Sequence, residues 1–155
     1  MSTGNQDLLP TESLADLEEQ LTAFCSDCAQ DVFFEPNDLI MREGAPADRF
    51  YLIKRGLVAV ETHVPGRGPV RVETLGPGDL LGFSWLFPPR HWSTDARAVE
   101  PTDARAFDAK CVTERFLADP AAACALTLRM LKQMYDRLER ARMQRLDVFS
   151  SGPWR

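Results

Sequence analysis

The chain has 155 residues, of which 45% are hydrophobic and 26% are charged, and its formal net charge at pH 7 is −5. A chain of this length and composition can form one globular domain with a core of its own. No apolar run approaches the ~20 residues of a membrane-spanning helix, and residues 1–10 lack the basic start and apolar stretch of a secretory signal, so we expect a cytoplasmic protein without a membrane partner.

The acidic charge is concentrated at the front of the chain. Residues 1–45 contain ten acidic residues and a single basic one, Arg42, whereas residues 119–155 contain seven basic and four acidic residues. An acidic front favours protein partners over nucleic acid. The basic residues near the C-terminus are mixed with acidic ones, so a solvated surface is expected in preference to nonspecific phosphate binding.

The first predicted element is a short helix. Residues 1–10 are expected to be a disordered lead, after which Leu14, Leu17, Leu21 and Phe24 recur at spacings of three and four. That spacing places one apolar stripe on a helix. Thr11 or Ser13 can cap its start.

The middle of the chain changes to a strand pattern. Short runs of branched and aromatic residues alternate there with turns rich in Gly, Pro, Asn and Asp. The predicted strands cover residues 33–34, 38–42, 50–54, 57–62, 70–75, 94–99 and 104–107. Many short strands at regular spacing predict a barrel or a jelly roll.

A long helix is predicted over residues 119–149, followed by a tail, residues 150–155. Asp119 is a good N-cap and Pro120 suits the first helical position, and no Gly or Pro occurs again before Gly152. One apolar stripe on this helix is predicted to form a homodimer interface. It contains Leu128, Leu131, Tyr135 and Leu138.

The four cysteines are Cys25, Cys28, Cys111 and Cys124. Cys25 and Cys28 form a lone C-x-x-C, and no second pair at short spacing completes a metal knuckle. In a cytoplasmic chain we expect reduced structural thiols, with metal binding or redox use as the less favoured alternative. No metal site and no cofactor are therefore predicted.

Three sequence blocks carry a resemblance to a known family. They are Asp38-Leu-Ile-Met-Arg-Glu-Gly44, Phe50-Tyr-Leu-Ile-Lys-Arg-Gly56-Leu-Val-Ala-Val60 and Leu75-Gly-Pro-Gly-Asp-Leu-Leu-Gly82. In order and spacing they resemble the effector domain of the CRP/FNR and cyclic-nucleotide-binding family. The resemblance implies an α+β, mainly β fold: an antiparallel β-roll or jelly roll with its short helix over residues 11–118, then the long dimerisation helix.

The segment after Gly82 departs from the family pattern. The family has a Glu that accepts a hydrogen bond from the ribose hydroxyl and, nine or ten residues later, an Arg that pairs with the cyclic phosphate. Phe83 stands at the Glu position and Trp92 at the Arg position, and the nearest basic residues are Arg90 and Arg97. We therefore expect weak binding of cyclic nucleotides, because both charged anchors are lost.

Two interpretations of this altered segment stay open beside ordinary cyclic-nucleotide binding. The aromatic residues fill the pocket, or the rings stack on a flat ligand while Arg90, His91 and Arg97 hold a phosphate. In either case the segment is the candidate ligand or partner site. Its candidate residues are Phe83, Ser84, Trp85, Arg90, His91, Trp92, Ser93 and Arg97.

The functional expectation is a non-catalytic regulatory or accessory protein. No Ser/His/Asp grouping, phosphate loop or metal-ligand cluster supports an enzyme, and no segment for a DNA-reading domain follows residue 149, so sequence-specific DNA binding is not expected. The stretch 82–89 resembles the accessory proteins of soluble NAD(P)-linked nickel–iron hydrogenases, which implies docking on a redox enzyme. The alternative is a free-standing nucleotide-sensing signalling protein.

Overall fold

The computed structural model describes the backbone of residues 14–150 and the side chains of residues 17–146. The predicted disordered lead, the caps Thr11 and Ser13, and the tail beyond residue 150 lie outside the described residues. Among the described helices, none combines the length and the apolar character that crossing a membrane requires.

In the described part of the chain, eight strands lie between one N-terminal helix and two C-terminal helices. The elements are α1 (Leu14–Cys25), β1 (Ala29–Phe34), β2 (Leu39–Met41), β3 (Arg49–Arg55), β4 (Val58–Val64), β5 (Gly68–Leu75), β6 (Leu80–Leu81), β7 (Asp95–Ala98), β8 (Thr102–Asp108), α2 (Ala109–Ala118) and α3 (Pro120–Ser150). Short 3₁₀ turns occupy Ser26–Cys28 and Ser84–Leu86. Every predicted strand overlaps an observed one, whereas β6 and α2 were not predicted.

The strands form two four-stranded antiparallel sheets, ordered β1-β8-β3-β6 and β2-β7-β4-β5. In one sheet, β3 pairs with both β8 and β6, and in the other β4 pairs with both β5 and β7. This jelly roll, with a short helix before it and a long helix after it, confirms the predicted α+β, mainly β fold class.

The core lies between the sheets and extends under the helices. β3 buries four consecutive residues, because one face points into the jelly roll and the other is covered where α2 contacts the strand. The Phe50 ring stacks on Phe107 at 4.9 Å between centroids and on Trp85 at 4.8 Å. Stacked rings of this size contribute strongly to core packing, so they fix the 3₁₀ turn Ser84–Leu86 against β3.

α3 presents two different apolar stripes. Its start is capped as predicted, since the Asp119 carboxylate accepts a hydrogen bond from the backbone N–H of Ala122 at 3.2 Å. Ala123, Leu126 and Met130 are buried in the core at spacings of three and four. The predicted seam of Leu128, Leu131, Tyr135 and Leu138 lies outside this stripe and is exposed in the isolated chain.

α2 begins directly at the end of β8, with no Gly or Pro between them. The Asp108 side chain accepts a hydrogen bond from the backbone N–H of Cys111 at 2.8 Å and so caps the helix. The helix is only 10 residues long and alternates charged with apolar residues. Its short apolar stripe gives a weak periodic signal, which explains why α2 was not predicted from the sequence.

The prediction of four reduced cysteines is wrong for two of them. Cys28 and Cys111 form a disulfide, with their Cα atoms 5.5 Å apart, while Cys25 and Cys124 are free. Cys28 lies in the 3₁₀ turn that follows α1, and Cys111 lies in α2. The pairing therefore depends on a helix that the sequence patterns did not reveal. The spacing of the Cα atoms is the usual one for a disulfide.

Candidate functional site

The candidate site begins at Gly82, where the backbone turns sharply after β6. Gly82 has a φ of +90°, and a Cβ atom at this position would lie 2.7 Å from the Trp92 ring. Only glycine meets both conditions, because a side chain would be strained by the backbone and would collide with the ring. The Trp92 side chain is therefore packed against bare backbone and is only 6% exposed.

The first half of the loop 83–92 is anchored in the core. Trp85 is buried between Phe50 and the tilted ring of Phe116. Its indole Nε1 has no hydrogen-bond partner within the described part of the chain. Ser84 and Phe83 are half-buried beside it. Two of the predicted site residues, Trp85 and Trp92, are thus core side chains with little surface for a ligand.

The tip of the loop, residues 87–91, is exposed and tightly held. Phe87 is 61% exposed, and the following residues through His91 are exposed as well. Arg90 has a φ of +57°, and its Nε donates a hydrogen bond to the Trp85 carbonyl oxygen at 3.2 Å. Backbone hydrogen bonds join the loop to residues 44–47, including one from the N–H of Ala47 to the Arg90 carbonyl oxygen at 2.8 Å. The tip is therefore a fixed protrusion.

Arg97 and Ser93 are placed apart from this tip. Arg97 lies on β7, where its Nη1 donates to the Asn37 carbonyl oxygen at 2.8 Å and its Nε lies 3.4 Å from Glu61 Oε1. Ser93 is exposed just before β7. Arg90 thus binds the backbone of Trp85 within the loop. Arg97 does not join it there, because its guanidinium group contacts Asn37 and Glu61.

An arginine of α3 that no sequence motif singled out reaches into the candidate site. Arg137 donates from Nε and Nη2 to the two carboxylate oxygens of Glu73, at 2.7 and 2.8 Å, and from Nη1 to the Leu80 carbonyl oxygen at 2.7 Å. Its guanidinium carbon lies 5.5 Å from the centroid of the Phe83 ring. With a side chain only 14% exposed, Arg137 is largely buried where it covers the Phe83 ring.

Gln133, one helical turn earlier, binds the turn between β5 and β6. Its side-chain oxygen accepts from the backbone N–H of Leu80 at 2.7 Å, and its Nε2 donates to the Gly78 carbonyl oxygen at 3.0 Å. We call Gln133 and Arg137 the α3 clamp. One sequence signal could have identified the clamp. The buried face of α3 continues at spacings of four, three and four with two polar residues: Leu126, Met130, Gln133 and Arg137.

Comparison with known proteins agrees with this architecture. A family model described as the cyclic nucleotide-binding domain matches residues 31–119. A cyclic nucleotide-binding domain from Methylobacillus flagellatus is 22% identical with a TM-score of 0.74, and the match covers 83% of this chain and 72% of that one.

Two further solved structures match most of the chain. The N-terminal domain of a transcriptional regulator from Streptomyces coelicolor is 25% identical with a TM-score of 0.63, covering 94% of this chain and 99% of that one. The sensor domain of the transcriptional regulator DNR from Pseudomonas aeruginosa is 20% identical, also with a TM-score of 0.63, covering 86% and 91%.

Proposed function

Since the chain belongs to the cyclic nucleotide-binding domain family, we propose that it is a non-catalytic regulatory module whose ligand position is occupied by its own side chains. The observation that carries the proposal is the contact between Arg137 and Phe83. In the family that the sequence resembles, the residue at the position of Phe83 is a Glu whose carboxylate binds the ribose. Here that position is apolar, and a guanidinium from α3 covers it.

The other family anchor is replaced in a way that supports the same proposal. Trp92 stands at the position of the phosphate-binding Arg, and its ring is buried against Gly82. A ligand phosphate would therefore meet an indole in place of a guanidinium. The clamp ties α3 to the turn between β5 and β6 and to the start of β6.

Cyclic AMP and cyclic GMP are accordingly expected to bind poorly. Each charge-assisted contact is worth about 1.5–3 kcal/mol, so losing two of them weakens binding by at least about a hundredfold. Isothermal titration calorimetry of the purified protein with each nucleotide should show no saturable heat at micromolar concentrations. Low-micromolar binding of either nucleotide would contradict the filled pocket.

The proposed partner is a redox enzyme such as a soluble NAD(P)-linked nickel–iron hydrogenase. This class comes from the resemblance of stretch 82–89, and the tip 87–91 supplies a surface suited to docking. A fixed protrusion with an exposed aromatic residue and an arginine resembles a binding hot spot. Because the tip is already held by hydrogen bonds, it loses little conformational entropy on docking.

The docking role is tested by Arg90→Ala and His91→Ala, each expected to weaken the partner complex by ~1 kcal/mol, about fivefold. Both side chains are exposed, so the melting temperature should change little, and His91→Ala is the cleaner variant because Arg90→Ala also removes the hydrogen bond to the Trp85 carbonyl oxygen. Co-purification from native lysate with tagged wild-type and variant protein measures the complex. Arg67→Ala, in the turn between β4 and β5, is the matched control. Variants that melt normally and assemble as well as wild type would exclude the tip as the docking site.

We also propose that the free protein is a homodimer through α3. Leu131 is 60% exposed in the single chain, and Leu128, Tyr135 and Leu138 are exposed on the same side of the helix. These residues face away from the buried stripe of Leu126 and Met130, so the jelly roll cannot cover them.

The double variant Leu131→Glu/Leu138→Glu is expected to be a monomer, because four charges would face each other across the seam. Light scattering at tens of micromolar measures the change in mass. Asp136→Asn, at an exposed position on the same helix, should leave the dimer intact. A wild-type protein that is already monomeric at that concentration would refute the homodimer.

A further inference from the structure

A groove runs between β5 and α3, outside the loop 83–92. It encloses about 540 Å³, within the usual range of small-molecule sites, and the Glu73–Arg137 ion pair forms part of its lining. One wall belongs to β5 and carries Arg71 and Val72. The other belongs to α3 and carries Met134 and Arg140.

Two cations of the groove have no counter-charge among the described residues. Arg71 and Arg140 are exposed, and neither makes a hydrogen bond or an ion pair with any described side chain. Two neighbouring arginines of α3 are paired, because Arg137 forms an ion pair with Glu73 and Arg142 forms one with Glu139. In a chain of net charge −5, two unpaired guanidinium groups on opposite walls of one groove form a local site for an anion.

The rest of the lining is apolar. Val72 is 50% exposed, and Met134 is also exposed where it lines the groove. An inorganic anion would gain nothing from these side chains. A flat heterocycle would cover them and remove apolar surface from water.

We propose that this groove binds a nucleoside polyphosphate with an open phosphate chain. The phosphates lie between Arg71 and Arg140, whose planar guanidinium groups match phosphate oxygens. The base lies against Val72 and Met134. Such a ligand contacts β5 and α3 at once, and it therefore reinforces the attachment of α3 that the clamp provides. The site is separate from the proposed docking tip, and it gives a place to the nucleotide-sensing alternative.

Calorimetry with ATP and with pyrophosphate at 150 mM salt tests the groove. We expect ATP to bind at least fivefold more tightly than pyrophosphate, because only ATP uses the apolar wall. The variant Arg71→Gln/Arg140→Gln should weaken ATP binding at least tenfold. The control Arg42→Gln/Arg67→Gln removes the same charge from exposed positions elsewhere and should bind ATP as wild type does.

A single variant and a second measurement test the proposal even if the variant Arg71→Gln/Arg140→Gln folds poorly. Val72→Ser should weaken ATP binding and leave pyrophosphate binding unchanged. Hydrogen exchange of the α3 backbone between residues 134 and 144 should slow on adding ATP. No ATP binding at millimolar concentration, equal binding of ATP and pyrophosphate, or equal losses in the Arg71/Arg140 variant and its control would each overturn the proposal.

Discussion

Replacing Cys28 and Cys111 together by alanine is expected to lower the free energy of unfolding by about 2–4 kcal/mol. The disulfide joins positions 83 residues apart in sequence, and a cross-link over a loop of that length removes much of the freedom of the unfolded chain. It also holds the end of α1 against α2, beside the ion pair between Asp27 and Arg115. Urea denaturation followed by circular dichroism measures the loss.

The other two cysteines provide the controls for this experiment. Cys124 is free and exposed, so Cys124→Ala should leave the unfolding midpoint unchanged. Cys25 is free and buried, and burial raises the pKa of its thiol to about 11, although the nearby Arg115 opposes the rise. A thiol with that pKa is almost fully protonated at pH 7 and exchanges slowly with the disulfide. A double variant as stable as Cys124→Ala would mean that the bond contributes nothing.

Replacing Arg137 by methionine is expected to cost about 2 kcal/mol. The change keeps the length of the side chain but removes three hydrogen bonds, and it leaves the Glu73 carboxylate and the Leu80 carbonyl oxygen without their α3 partner. Breaking a fully buried ion pair costs about 3–5 kcal/mol, and the partial exposure of Glu73 reduces that figure.

The measurement for Arg137→Met combines urea denaturation with backbone hydrogen exchange along α3. Exchange should speed up most near residue 137, where the clamp is lost, and least near Leu126, which stays packed in the core. Arg140→Met is the matched control, because it removes an equal charge from an exposed position one turn away. Equal stability of the two variants would show that the clamp does not hold α3.

The jelly roll was predictable because individual residues in the sequence identify its turns. Gly56 shows why: its φ is +100°, and a Cβ there would lie 2.5 Å from the Pro101 carbonyl oxygen, so the turn between β3 and β4 admits only glycine. Residues of this kind can be recognised one at a time in a sequence. The strands between them then follow from branched and aromatic runs.

The candidate site was less predictable because its decisive contacts join distant segments. Arg137 and Glu73 lie 64 residues apart, and either residue alone fits a solvated face. The Cys28–Cys111 pair likewise depends on where α2 packs. The aromatic residues of the loop 83–92 were recognised, but their sequence could not separate the buried Trp85 and Trp92 from the exposed Phe87.

The disulfide also gives the chain an unusual connectivity. Every strand that the structure describes, from Ala29 to Asp108, lies between Cys28 and Cys111, so both sheets belong to one covalent ring, and α1 and α3 leave it as two separate arms. A single backbone cleavage inside the ring, for instance in the exposed turn at residues 65–67, therefore leaves one connected molecule instead of two fragments. The Cys28–Cys111 disulfide therefore keeps the two parts of a cleaved jelly roll covalently joined.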